Sequence, residues 1–157
     1  MATKTQIAQQ IVNILNDSSK MTDPLGSDRV GSFCFMPHDD LSFNRMLPKL
    51  KIEFDDQDEP NLKGMGKTNL KLQKYQSFNI WIYVQDNQSY TVGSTKYKNE
   101  ELIDLIEESI ENAIVNNQGQ IQTHFTSFGS ILSPAKNDGS NLIVGVKPVM
   151  FRYRKQF

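Results

Sequence analysis

The sequence predicts an α+β domain, a mostly antiparallel sheet with two amphipathic helices packed on one face. Three observations carry this expectation. Apolar residues recur at helical spacing twice, over 5–16 and 99–116. Segments of period two lie between and after them, the strongest at 75–86. The elements do not alternate strand and helix as βαβ units would, so a meander-like sheet with helices on one side is the simplest packing.

The first helix is read from Ile7, Ala8, Ile11, Ile14 and Leu15, which form one stripe, with Gln6, Gln9, Gln10, Asn13 and Asn16 opposite. So short a helix must dock on something to persist. Residues 17–48 hold Pro24, Gly26, Gly31, Pro37 and Pro48 and follow neither period. They read as a long loop with a short extended piece around Phe33–Met36, and loops of this length are uncommon unless functional or covered. Leu50, Ile52 and Phe54 then alternate with Lys49, Lys51 and Glu53 as a half-buried strand.

The acidic run DDQDEPN (55–61) ends that strand, and the basic, glycine-punctuated LKGMGKTNLKLQK (62–74) reads as a hairpin arm or a loop. In 75–86, Phe78, Ile80, Ile82 and Val84 share one face, with Trp81 and Tyr83 on the other. Apolar residues on both faces predict a strand with neighbours on each side. The helix at 99–116 buries Leu102, Ile103, Ile106, Ile110, Ala113 and Ile114, with Asn99 as its expected cap and Glu100 and Glu101 in its first turn. The chain closes with a β stretch over 121–132 and a strand in which Leu142, Val144 and Val146 point inward. Pro148 is expected to act as a bulge after which Val149, Phe151 and Tyr153 take the other phase. The whole, 1–157, reads as one domain with 17–48 and 55–74 as long loops or arms.

Composition narrows the function classes. A chain of 157 residues buries roughly 70% of its unfolded surface and needs no metal or disulfide for a core. Its single cysteine, Cys34, allows no internal disulfide and fits a reducing compartment. The net charge of −1 lacks the basic excess of a dedicated duplex-DNA binder. The N-terminal MATKTQIAQQIVNILND lacks a continuous apolar run, so neither a signal peptide nor a membrane span is expected.

Each chemical motif has an incomplete constellation. GMGKT (64–68) lacks the first glycine of a phosphate loop, since Asn61 stands where that glycine belongs. His38, Asp39 and Asp40 are too few for a metal site without a further ligand from the fold, and His124 is the only other histidine. Cys34 lies within FCF, the setting of a buried small apolar residue rather than of a nucleophile. Glu107, Glu108 and Glu111, like the acids of 55–59, read as solvated. No catalytic residue, metal or cofactor is therefore expected. The candidate interface residues are Trp81, Tyr83, Lys63, Lys67, Lys71, Arg152 and Arg154.

The order of TQIAQQIVNILND (5–17), LKIEF (50–54), FNIWIYVQD (78–86), NEELIDLIEESIENAI (99–114) and LIVGVKPVMFRYR (142–154) resembles that of tail terminator proteins of long-tailed bacteriophages and related archaeal viruses. The likeness covers most of the chain and is one of element order, without a short diagnostic motif. It implies a structural virion protein of the head-tail neck, assembled in the host cytoplasm. Such a protein forms a homo-hexameric ring that caps the tail tube and meets the head-tail connector protein. DNA passes through the lumen without specific binding. The long 17–48 and 55–74 segments depart from the pattern. The competing readings are a small metal-dependent hydrolase or nuclease using His38, Asp39 and Asp40, and a nucleic-acid-binding adaptor using Lys63, Lys67, Lys71 and Lys74.

Overall fold

The computed structural model describes residues 3–17, 19–21, 34–39, 48–55, 61–63, 71–87, 89–92, 94–121, 124–129, 132–136 and 142–156. It is an α+β fold of two α-helices and a mixed, mostly antiparallel sheet.

Helix α1 (Lys4–Asn16) opens with a reciprocal cap: Thr3 Oγ1 accepts from the Gln6 N–H, and Gln6 Oε1 accepts from the Thr3 N–H. Together they satisfy donors that the first turn leaves without partners. The expected stripe is buried, with Val12 added to it. Strand β1 (Cys34–Phe35) follows and lies parallel to β2 (Lys49–Asp55). The Asn16 side chain matches the β1 backbone as another strand would, its Nδ2 donating to the Cys34 carbonyl at 2.9 Å and its Oδ1 accepting from the Cys34 N–H at 2.6 Å. A two-residue edge strand is thereby closed to further pairing at that point.

Strands β4 (Lys71–Gln85) and β9 (Leu142–Gln156) form the spine, an antiparallel ladder running from Lys71 opposite Gln156 to Gln85 opposite Leu142. β2 and the short β3 (Asn61–Lys63) both pair with β4, one after the other along its free side. The basic segment is therefore a hairpin arm at both its ends, while its middle, 64–70, lies outside the described residues. Strands β7 (His124–Phe128) and β8 (Leu132–Lys136) likewise pair in succession with β9. A separate hairpin, β5 (Tyr90–Val92) with β6 (Thr95–Tyr97), links β4 to α2 (Asn99–Asn116).

The alternation in β4 is as expected: Phe78, Ile80, Ile82 and Val84 are fully buried, and Trp81 and Tyr83 are half-buried on the other face. Leu50 and Ile52 are buried beside them, and so is Lys49, which the pattern placed outward. Its ammonium lies 5.5 Å from the Phe35 ring centroid, and burial pushes its pKa down.

The expectation for the last strand is overturned. β9 keeps one phase from Leu142 to Phe151: Ile143, Gly145, Lys147, Val149 and Phe151 are all buried, and the register to β4 runs unbroken through Pro148. Leu142, Val144 and Val146 lie on the half-buried outer face. The apparent phase change came from counting Lys147 as a solvent residue, whereas it occupies a core position, 2% exposed. β9 is also an inner strand, so Pro148 needs another accommodation. The irregularities sit in its neighbour instead, within β7, within β8 and between them. There the Gly129 N–H donates to the Pro148 carbonyl at 2.9 Å. In an antiparallel pair a residue's N–H and C=O face the same neighbour. The donor that Pro148 lacks would thus have faced the β7–β8 junction, not β4.

The role expected of Asn99 is also corrected. Lys98 occupies the cap position of α2 without a side-chain cap bond. Asn99, at φ 56°, instead accepts from the Asn87 N–H at 2.8 Å. Asn87 has φ 61°, and asparagine tolerates this left-handed backbone better than most residues. The pair closes the base of the β5–β6 excursion. The expected buried stripe of α2 is observed in full.

Candidate assembly surfaces

Three places bring polar, charged or aromatic side chains together, and the basic candidates lie apart from them. The first is the outer face of the β4–β9 ladder. Trp81 and Tyr83 stack at 6.4 Å between ring centroids, 17° from parallel. Val146 stands opposite Trp81 and Val144 opposite Tyr83, all four half-buried. Trp81 Nε1 is buried and has no hydrogen-bond partner among the described residues, and an indole N–H in that state ordinarily costs free energy. Burial, and then the charge of Glu53, raise the Tyr83 phenol above its ordinary value of 10.0.

The second is the buried ammonium of Lys147, which sequence reasoning missed. It donates to Glu111 Oε1 at 2.5 Å and to the Gly129 carbonyl at 2.8 Å. It also stands 3.4 Å from Glu107 Oε1 and 5.2 Å from the Phe128 ring centroid. The two acids read as solvated thus form the underside of α2, where it crosses β9, and only Glu108 of the three is exposed. Glu107 Oε2 is buried without a hydrogen bond among the described residues. The available signal was a lone lysine interrupting VGVKPV at an otherwise core-phased position.

The third is an open cleft of about 510 Å3 lined by Gln9, Asn16, Cys34, Met36, His38 and Asp39 among others. Asp39 is engaged in a local turn, its Oδ2 accepting from the Met36 N–H at 2.9 Å. His38 Nε2 lies 3.5 Å from Asp39 Oδ1, with its side chain 75% exposed. Cys34 is buried, and Asp40 lies outside the described residues. Among the described residues, no group of three or more His, Cys, Asp or Glu could hold a metal ion, and no helix is long and apolar enough to cross a membrane.

Of the basic candidates, Lys63 lies on β3 directly opposite Lys71 at the start of β4. Arg152 and Arg154 lie on β9, opposite Tyr75 and Gln73 of β4. The fold therefore brings these four to one end of the sheet, and Lys74 joins them, opposite Tyr153. Lys67 falls outside the described residues, as does the whole GMGKT segment. Trp81 and Tyr83 stand further along β4, so the seven candidates do not form one patch.

No family model matches the chain, and no curated protein matches it.

Proposed function

We propose that the protein is a structural assembly subunit, a tail terminator-like component of a virion neck that closes into a homo-oligomeric ring. In this reading both helices cover one face of the sheet and the other face meets neighbours. Support for the first half comes from the core, a single cluster uniting both helical stripes with Leu50, Ile52, Phe78, Ile80, Ile82 and Val84. The observation that carries the second half is the outer face. Its stacked Trp81 and Tyr83, backed by Val144 and Val146, include a buried indole N–H without an acceptor among the described residues. Aromatic residues are enriched in the cores of protein interfaces, where a neighbour can supply the missing polar partner.

The partners in this reading are further copies of the chain, six in a closed ring, together with a tail tube protein and a head-tail connector protein. DNA crosses the lumen without specific binding. The finished ring resides in the virion and is built in the host cytoplasm. Native mass spectrometry of the protein, alone and with tube and connector proteins from the same source, tests this. Ring-sized species, or a ring captured on tube ends, are expected. Their absence, with a small molecule or nucleic acid bound tightly instead, overturns the reading. Alanine at His38, Asp39 and Asp40 together leaves assembly intact; a turnover lost in that variant, with folding unchanged, would restore the enzyme reading.

A further inference from the structure

Two lysines are buried among the described residues, and their surroundings differ. Lys147 has a carboxylate and a carbonyl within hydrogen-bond reach. Lys49 is 5% exposed and makes no hydrogen bond or ion pair among the described residues. Its ammonium meets only the Phe35 ring, 5.5 Å from the centroid. Burial alone pushes its pKa down, so no acid stands close enough to offset the desolvation. A buried cation is ordinarily paired, and a ring face replaces only part of what water gave it.

Register fixes what stands around it. Leu50 and Ile52 belong to the core, so Lys49 lies on the outer face of β2, directly opposite Tyr83 of β4. Phe35 and Lys51 are partners across the β1–β2 pair and share that face. Lys51 stands opposite Trp81, whose ring stacks on Tyr83. Cross-strand neighbours on one face lie about 5 Å apart at Cβ. The corner therefore holds an ammonium between Phe35 and Tyr83, with a second lysine and an indole beside it. Glu53, the next residue along this face, stands opposite Asn79.

We propose that this corner is a carboxylate-binding site, and that its occupant is an acidic side chain, set beside an apolar one, on the neighbouring protein of the assembly. A single carboxylate matches a single desolvated ammonium, and the apolar neighbour covers Phe35 and Tyr83. A nucleic-acid backbone fits less well, because a run of phosphates is met by several solvated cations. Glu53 on the same face also repels a polyanion. The inference rests on the assembly reading above and names the chemistry that the outer face asks of its partner.

Trp81 is the only tryptophan of the chain, so its fluorescence reports on this corner. The probe is phenylbutyrate, with phenylbutyramide as its uncharged twin. Native protein should bind the acid saturably and the amide about tenfold or more weakly, the scale of one charge-assisted hydrogen bond. Lys49→Met should lose the preference for the acid, Lys49→Arg should keep it, and Lys51→Gln should keep most of it. No buried carboxylate loses a donor in Lys49→Met, so thermal melts should place that variant no lower than the native chain. In protein with isotope-labelled lysine, the acid should raise the Lys49 pKa, because a carboxylate favours the charged form. Equal binding of acid and amide, or a Lys49→Met protein that still prefers the acid, overturns the site. Ring assembly, read by native mass spectrometry, should be lost in Lys49→Met and competed by the acid. Assembly indifferent to both overturns this occupant while leaving the assembly reading in place. Copies that never assemble, although the acid binds through Lys49, overturn the assembly reading and the occupant together. An oligothymidylate that binds through Lys49 where the acid does not overturns the carboxylate in favour of phosphate.

Discussion

The ammonium of Lys147 donates to the carbonyl of Gly129 at 2.8 Å, and that carbonyl is free to accept because residue 148 is proline. In a regular ladder the N–H of residue 148 would have bonded to Gly129, which returns its own N–H to the Pro148 carbonyl. Proline withholds the donor, and the preceding side chain supplies one from the core face. A ladder defect and a buried charge thus satisfy each other, and the same ammonium fastens α2 through Glu107 and Glu111. A buried ion pair is weak evidence for net stability, but removing one partner from it is costly.

Lys147→Met should therefore destabilise the fold by about 2 kcal/mol, because the carbonyl and Glu111 lose their donor and Glu107 its counter-charge, while the partly exposed acids regain some water. Adding Glu111→Gln should cost less than it does in the native background. Urea denaturation of both singles and the double measures this. A Lys147→Met protein as stable as the native one would mean that the cluster contributes nothing.

At Gly129 an added Cβ would lie 2.8 Å from Pro148 Cβ and 2.9 Å from its Cγ. Gly129→Ala should cost about 1–3 kcal/mol through that overlap. Pro148→Gly removes both of those atoms, so the double variant should be more stable than the sum of the singles. Additivity in thermal melts would show that the two residues do not couple.

On α2, Ile110 is fully buried and Glu108 exposed. Ile110→Ala should cost about 2–5 kcal/mol. Glu108→Ala should fall within about 0.5 kcal/mol. Equal costs in chemical denaturation would contradict the observed face.

Tyr83 offers a pH signature. Its folded pKa is raised above 10.0 by burial first and by Glu53 second. The folded state then holds the phenol proton longer than the unfolded chain does. The stability this contributes is complete below the ordinary phenol value and is lost as pH rises from that value through the folded pKa. Tyr83→Phe should remove that part of the alkaline decline, and the difference titration against native protein should show a tyrosine ionising late. If the outer face is an interface, assembly should delay that ionisation further. A Tyr83 that titrates at 10.0 in folded protein would contradict the burial.

The sequence by itself determined the two helices, the inward set of β4 and the half-buried aromatics behind it, because burial on one face writes a period into the chain. Ile7 to Leu15, Leu102 to Ile114 and Phe78 to Val84 all carry that period plainly. It also showed the charge runs as compositions. Tertiary structure alone decided the phase of β9, since a lysine in the core cannot be told from a lysine in solvent until its partners, Glu107, Glu111 and Gly129, are brought from elsewhere. It decided too that Asn99 closes a turn with Asn87 rather than capping α2, because the backbone hand at both residues follows from how the β5–β6 excursion returns. Strand pairing finally joined Lys63 and Lys71 with Arg152 and Arg154, residues up to 91 positions apart, by the same hydrogen-bonded register that carried the acidic helix start to the other end of β4. Register is a property of two strands together, so neither strand's sequence states it alone.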